Sequence, residues 1–598
     1  MLSFEGKEVM TPGILFLTTV RHKAPLFADM LLTDTSVSTK KPSIRIGGSI
    51  FSTEKTRKKI TPSISEFLVY PKDVPEALHR LSIKNNSKTM DCYILPCNKE
   101  ILPEAVTKNN ATIFIVANAR QLSMQQTSFV AFITQVREHV GYEKLIYTPC
   151  IGDPTSIALL AYMGVDLVDS FSAIMAARNE SLLFSTGSFH KNQLRELPCT
   201  CPVCSKHAIA SEMTYDDILA HNYHMLSAEM KRVRNAIHTG SLRELVETRV
   251  RARPSLSAML RLMDLHQYQF LEQRTPIMRK QMLIATTKDA LTRPEVRRFQ
   301  ERVIQRYRKP ESTKVLLLLP CSARKPYSFS KSHMLFREQL MDIRNPFVVH
   351  EMILTSPLGL VPRELELTYP ASAYDITVTG HWDEDEKKMI RTLLGQYLGK
   401  NSYDTVIMHL PAALQEFTRD LLKNPVSTCI DTPTSQQSLD TLADVLQKTT
   451  RTYDIVHNQQ RTTENILGLA RYQFGDTIAT QLLEGCITKG KYPYQKIMKN
   501  TRQVGMVTQE RGLISLTMDG AERIRDATNY WVEISTDFSL KGSVLAPGVK
   551  DADEAIRIGD EVVVKQHEKV AGVGVALMNG REMKESKHGE AVNVRHHR

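Results

Sequence analysis

The chain has 598 residues, 42% hydrophobic and 24% charged, which is an ordinary globular composition and too much sequence for one core; roughly three to five domains are expected. Lysine and arginine exceed aspartate and glutamate by a formal net charge of +12, which favours a polyanionic partner. No apolar run approaches the ~20 residues of a transmembrane helix, and the first residues lack a charged start and long apolar stretch; a soluble, cytoplasmic chain without membrane contact is the expectation.

From residue 12 to about 190, short apolar runs alternate with helical stretches, as at Ile14–Val20, Thr112–Val116, Leu145–Tyr147 and Val165–Val168. The clearest unit is a strand at Lys144–Tyr147, a helix from Asp153 to Met163, then Gly164 and a strand that ends in Asp169. An Asp-Pro-Thr-Ser entry and a glycine stop are proper helix boundaries. Repeated βα units suit a barrel or a doubly wound sheet, and the pattern does not choose between them.

Nine cysteines is an odd number, and three crowd into Cys199-Thr-Cys201-Pro-Val-Cys204. That is metal-site usage in a reducing compartment, not a disulfide framework. With one downstream histidine the three thiolates make a closed tetrahedral zinc site, structural because no coordination position stays open. His207, His221 and His224 compete for the fourth place on spacing alone. Residues 232–310 read as helices without strands, with a capping box at Ser241-Leu-Arg-Glu244. Arg249, Arg251, Arg253, Arg297, Arg298, Arg302, Arg306 and Arg308 make this connector basic, as phosphate contacts or as solvated helix faces.

Leu316–Leu319 followed by Pro320 reads as a parallel strand covered on both faces. Behind it comes a loop dense in chemistry: Cys321, Ser322, Arg324, Lys325, Tyr327, Ser330, Ser332 and His333. A helical pattern resumes there, so the cluster lies at a strand's carboxyl end, where open α/β sheets bind ligands. Further strands are expected at Val348–Leu354, Ile376–Val378, Thr405–Met408 and Ser427–Ile430, with a helix over Glu384–Leu398. Ser356, Tyr374, Asp375, Thr379, His381 and Trp382 stand at strand ends and would close a pocket with the Cys321–His333 loop. A small α+β segment carries Lys489, Lys491, Lys496, Lys499 and Arg502; with Gly542-Ser-Val-Leu-Ala-Pro-Gly-Val-Lys, Ile558-Gly-Asp-Glu-Val and Val573-Gly-Val-Ala-Leu-Met, residues 528–598 resemble a PUA domain. Such barrels bind RNA by shape and backbone; Lys541, Gly542 and Arg595 are the expected RNA contacts.

The run PCSxxKPYxxSxSH from Pro320 to His333 resembles the signature of the archaeosine synthases, paralogues of the archaeal tRNA-guanine transglycosylases. Gly164-Val-Asp-Leu-Val-Asp-Ser is similar to a transglycosylase segment of a (β/α)8 barrel and puts Asp169 on the family's nucleophilic aspartate. The family's zinc motif ends in a His-Asn pair, which selects His221. The resemblance thus implies a multidomain α/β chain: a transglycosylase-like barrel with zinc site (residues 1–240), a basic helical connector (241–310), a central doubly wound α/β domain (311–455), a small α+β tRNA-docking domain (456–527) and a PUA β-barrel (528–598). One departure is informative. The transglycosylase Asp-Ser-Gly-x-Phe-Gln motif, which holds the base, has no counterpart here; the matching stretch from Phe114 has no aspartate. Base exchange is therefore disfavoured, and Asp169 is expected as a base-contacting or structural residue.

What the resemblance implies instead is action after exchange, on tRNA that carries 7-cyano-7-deazaguanine at position 15 of the D-loop. Addition of an amine to the nitrile gives an amidine on the way to archaeosine. Lysine is the favoured donor over glutamine, because no glutaminase module is visible, and a radical enzyme would then cleave the lysine adduct. His333 or Asp375 would serve as base, Tyr327 or Lys325 as proton donor, with Ser330 and Ser332 beside them. Cys321 would either form a thioimidate or be a small buried residue. Ser356, Trp382 and Asp169 would contact substrate. A homodimer is neither required nor excluded. The competing readings are base exchange and non-catalytic tRNA binding, the second of which needs charge but no convergent pocket.

Overall fold

The computed structural model describes residues 2–4, 7–19, 22–33, 39, 41–45, 80–83, 90–95, 106, 111–117, 119–377, 380–536 and 540–598. The chain divides into two compact units, Met1–Phe270 and Leu271–Arg598.

The first unit is built on eight strands: β1 (Gly13–Thr18), β2 (Met30–Thr33), β3 (Ser43–Arg45), β4 (Arg80–Ile83), β5 (Met90–Leu95), β6 (Ile113–Val116), β7 (Leu145–Tyr147) and β8 (Leu167–Asp169). They lie in the order β3-β2-β1-β8-β7-β6-β5-β4. All neighbours are parallel except the β4–β5 pair. The near-continuous apolar runs of β1 and β6 follow from this, since parallel strands are covered on both faces. Three of the expected strands match to within two residues; Val20, the expected end of the first, lies outside the described residues. The helix expected from Asp153 begins only at Ile157, because the Asp153 carboxylate first accepts hydrogen bonds from the Thr155 and Ser156 amides in a turn.

A long helix, Tyr215–Thr239, follows the cysteine cluster. It starts in a capping box between Thr214 and Asp217, and Gly240 closes it at φ 74°, the left-handed conformation that glycine adopts without a Cβ clash. The capping box expected at Ser241 does not form; the Ser241 hydroxyl bonds that of Thr239 instead, at 2.8 Å.

In the second unit β9 (Val315–Pro320), β10 (Val349–Thr355), β11 (Gly359–Pro362), β12 (Thr405–Met408) and β13 (Val426–Ser427) form a sheet in the order β11-β10-β9-β12-β13. Only β11 runs antiparallel. Leu316, Leu317, Leu318 and Leu319 of the middle strand are each 0% exposed, and burial of each side chain contributes about 1.5–3 kcal/mol. The Glu384–Leu398 helix has its expected bounds and buries Ile390, Leu394 and Tyr397. The strand expected at Ile376–Val378 is instead Tyr374–Asp375, paired with Leu283–Ile284, which adds a strand to a stretch expected to be helical only; Val378 and Thr379 lie outside the described residues.

The basic connector divides: Arg251, Arg253 and Arg308 are exposed, as on a solvated face, whereas two others turn inward. Arg298 and Arg302 are buried. Arg298 binds Glu272 and the carbonyls of Thr275 and Pro276, and Arg302 lies over the Tyr472 ring. The Arg298 guanidinium thus holds polar backbone inside the unit. Beyond the central sheet, four antiparallel strands from Ile487 to Leu516 share its hydrophobic core. Six strands from Trp531 to His597 enclose a second core.

Candidate functional site

The parallel strands β9 and β10 end side by side, with Pro320 in register with Leu354, so Cys321 and Ser356 emerge at the same carboxyl edge. Lys325 folds back until its Nζ lies 3.9 Å from the centre of the Tyr374 ring. Burial lowers the Lys325 pKa, partly opposed by Cys321 and Asp375. Burial also pushes the Cys321 thiol up. Tyr374 donates and accepts within a buried chain: its hydroxyl lies 2.6 Å from those of both Tyr327 and Thr355. Beside this group opens a cavity of about 460 Å³ walled by Lys288, Ser356, Asp375, Asp383 and Glu386, among others.

A charged network under the loop fixes it. Arg363 donates to Glu351 at 2.6 Å and to Glu366 at 3.0 Å. Glu366 accepts from the Ser328 amide at 2.9 Å and from the Ser328 hydroxyl. A further donor to Glu366 is the Tyr492 hydroxyl, at 2.5 Å, from the turn of the Lys489–Lys499 hairpin. The basic hairpin is thereby tied to the carboxylate that positions the loop.

Several expected site residues are structural parts of this frame. His333 is 0% exposed; its Nε2 meets the Pro320 carbonyl at 3.0 Å and its Nδ1 accepts from Arg363 at 2.8 Å. Burial and then the Arg363 charge hold its pKa well below the usual imidazole value. Neither ring nitrogen can take a substrate proton, which removes His333 as a base. Ser330 caps the Lys331–Met341 helix by accepting from the His333 amide, with Ser332 half-buried at 3.4 Å from it. Tyr327 is fully buried. Trp382 packs on Phe417, ring centres 6.0 Å apart, and does not line the cavity. The site therefore brings together Cys321, Lys325, Ser356 and Asp375, with Tyr374. Sequence reasoning missed Lys288 and gave Thr355, Arg363 and Glu366 no role of their own. The Arg363–Glu366 spacing of three residues was the visible signal for one ion pair; nothing marked Lys288, which arrives from a distant stretch.

In the first unit Cys199, Cys201, Cys204 and His221 bring one donor atom each to within 4.8 Å of one another. The His221 Nδ1 lies 3.1 Å from the Cys204 sulfur and 3.7 Å from that of Cys201. Such separations suit a single tetrahedral ion with bonds of about 2.0–2.3 Å. The other ring nitrogen of His221 meets the Leu183 carbonyl at 3.1 Å, which presents the Nδ1 lone pair to the ion. Neighbouring Asn222 bonds the backbone of Ala173, Ser181 and Leu183. His207 is turned to Asp217, and His224 stacks on Phe27.

Asp169 ends β8 as expected but is 1% exposed. Its carboxylate accepts from the Tyr147 hydroxyl at 2.7 Å and the Cys150 and Phe171 amides at 2.8 Å. Burial, only partly offset by these bonds, raises its pKa. A carboxylate so engaged supports backbone and is not presented as a nucleophile. Arg595, expected on RNA, is held by the buried Glu561; Lys541 is exposed and Gly542 half-buried in the loop before the Val544–Leu545 strand.

The Cys3His cluster and the carboxyl-terminal six-stranded module both stand in regions that known family models cover. Queuine tRNA-ribosyltransferase matches residues 99–255, a domain of unknown function matches residues 296–446, and the PUA domain matches residues 535–598. Archaeosine synthase subunit alpha of Methanosarcina acetivorans is 38% identical, over 81% of this chain and 79% of that protein. Archaeosine synthase of Haloferax volcanii is 37% identical, over 81% and 82%. A tRNA-guanine(15) transglycosylase of Methanobrevibacter smithii is 31% identical over 74% of this chain and 65% of its own length. The chain belongs to the archaeosine synthase family.

Proposed function

We propose that the protein acts in archaeosine biosynthesis and adds an amine, with lysine as donor, to the nitrile of 7-cyano-7-deazaguanine at position 15 of tRNA. The observation that carries this reading is the convergence of Lys325, Cys321 and Asp375 beside an open cavity in a chain of this family. The ε-amine must lose a proton to attack, and Asp375, exposed at the cavity wall, is the base now that His333 is engaged. One carbon–nitrogen bond forms and one π bond of the nitrile opens. The nitrile nitrogen gains a proton as the attacking nitrogen loses one, so an amidine results without a further reactant. Lys325, its pKa lowered by burial, is the proton donor. Burial that disfavours the Cys321 thiolate favours direct addition over a thioimidate.

The rest of the chain serves this step. The eight-stranded sheet is read as a transglycosylase-like barrel over residues 1–240 that departs from the (β/α)8 pattern at its antiparallel β4–β5 pair, and its Cys3His cluster as a structural zinc site. Residues 456–527, with the Tyr492 hairpin, and the PUA domain at residues 528–598 dock tRNA, Lys541 and Gly542 included. A radical enzyme would consume the lysine adduct, in the cytoplasm. The test is incubation of tRNA bearing the nitrile base with labelled lysine or labelled glutamine. Retention of the lysine label in the tRNA is expected; transfer from glutamine alone would contradict the reading.

A further inference from the structure

The cavity beside Lys325 carries a charge pattern that attack on a nitrile does not itself require. Asp375, Asp383 and Glu386 share the wall with Lys288, the only ammonium among the described residues that line it; its Nζ lies 3.3 Å from Asp383 and 3.3 Å from Asp385, and the wall carboxylates still outnumber it. Such a wall repels phosphate and favours a cation. An independent feature points to a ligand. Ser356 is 6% exposed, lines the cavity, and its hydroxyl has no hydrogen-bond partner among the described residues. A buried hydroxyl left without a partner is costly, and a bound polar group would satisfy it. The cavity also adjoins the reacting groups: Asp375 acts on Lys325, and Glu386 on Cys321, through their charges.

We propose that this cavity is the amine-donor subsite and that its acidic wall selects a basic amino acid by offering carboxylates to both of its ammonium groups. This rests on the function proposed above. Asp383 and Glu386 hold the α-ammonium at the far end, Ser356 bonds the donor's backbone polar groups, and the side-chain amine reaches past Asp375 toward the nitrile. Glutamine carries one ammonium and a neutral side chain, so it gains nothing at the Asp375 end.

Both wall carboxylates belong to the amino-terminal cap of the Glu384–Leu398 helix. Asp383 accepts from the Asp385 and Glu386 amides at 2.9 and 3.0 Å, and Glu386 accepts from the Asp383 amide at 3.0 Å. Asparagine caps as well as aspartate, and glutamine completes a capping box as glutamate does. Asp383→Asn and Glu386→Gln therefore remove charge while keeping the helix start.

The experiment is steady-state transfer to nitrile-bearing tRNA by the full chain. Each variant is expected to raise the lysine KM about tenfold, with kcat within about threefold and the tRNA KM unchanged. Lysine lacking its α-amino group should react with the same KM on wild type and variants, a pattern that loss of structure cannot produce. Lys288→Met, which leaves the wall more negative, should hold or lower the lysine KM. An unmoved lysine KM, or a rise in the tRNA KM instead, would overturn the subsite. A wild type that makes no lysine adduct refutes the underlying function, which separates the two failures.

Discussion

Replacement of Arg363 by methionine tests the frame that holds the reacting loop. Arg363 is largely buried between Glu351, which is 8% exposed, and Glu366, which is 0% exposed. The variant leaves two buried carboxylates without their cation and His333 Nδ1 without its donor. Loss of one partner of a buried ion pair costs about 3–5 kcal/mol, far above the ~0–1 kcal/mol of a surface pair. Chemical denaturation at neutral pH, monitored through the transition of the second unit, should show a loss of that size. Acid should narrow the gap. Burial pushes the Glu351 carboxyl up, but Arg363 and then Arg337 outweigh it and hold it below its usual range. A depressed carboxylate gives stability that is complete above its unfolded pKa of about 4.3 and lost as pH falls through the folded value. The wild type should therefore lose stability below about pH 4.3, and the variant should lose less, having no such pairing to forfeit. A variant within 1 kcal/mol of wild type at neutral pH would refute the frame.

Zinc should copurify at about one ion per chain, and Cys201→Ser should remove it and destabilise the first unit, because a structural site contributes folding energy; metal analysis finding none in intact protein would count against the assignment. His333→Ala should lower stability by opening a fully buried position, and any loss of amine transfer should follow the fraction unfolded and leave the pH profile's shape unchanged. Tyr492→Phe removes one donor to Glu366 and should weaken loop order, read as a lower kcat with little change in tRNA binding.

The legibility of the chain followed local signal strength. Four leucines before a proline announced β9, and three crowded cysteines announced the sulfur side of the Cys3His cluster; in each, neighbours in sequence are neighbours in space, whereas the choice of His221 came from the family resemblance. The cavity was legible only in half. Ser356 and Asp375 stood at strand ends, but Lys288 and the Asp383–Glu386 cap come from stretches with no motif, and only tertiary packing brings them to one wall. His333 was misjudged as a base because sequence cannot show that Arg363, 30 residues away, occupies its free nitrogen. Arg298 and Arg302 misled for the same reason: a basic run looks alike whether it faces water, phosphate or, as for Arg298, buried carbonyl groups.

The central claim is that amine transfer occurs in the second unit, and one comparison tests it most directly. Lysine incorporation into nitrile-bearing tRNA is measured for Lys325→Ala and for Asp169→Asn, each at matched tRNA occupancy. Lys325→Ala should lower the rate at least about tenfold, or roughly 1.4 kcal/mol of transition-state stabilisation, while Asp169→Asn stays near wild type once corrected for folded fraction. If Asp169→Asn abolishes incorporation and Lys325→Ala leaves it intact, the chemistry belongs to the first unit and the account is wrong.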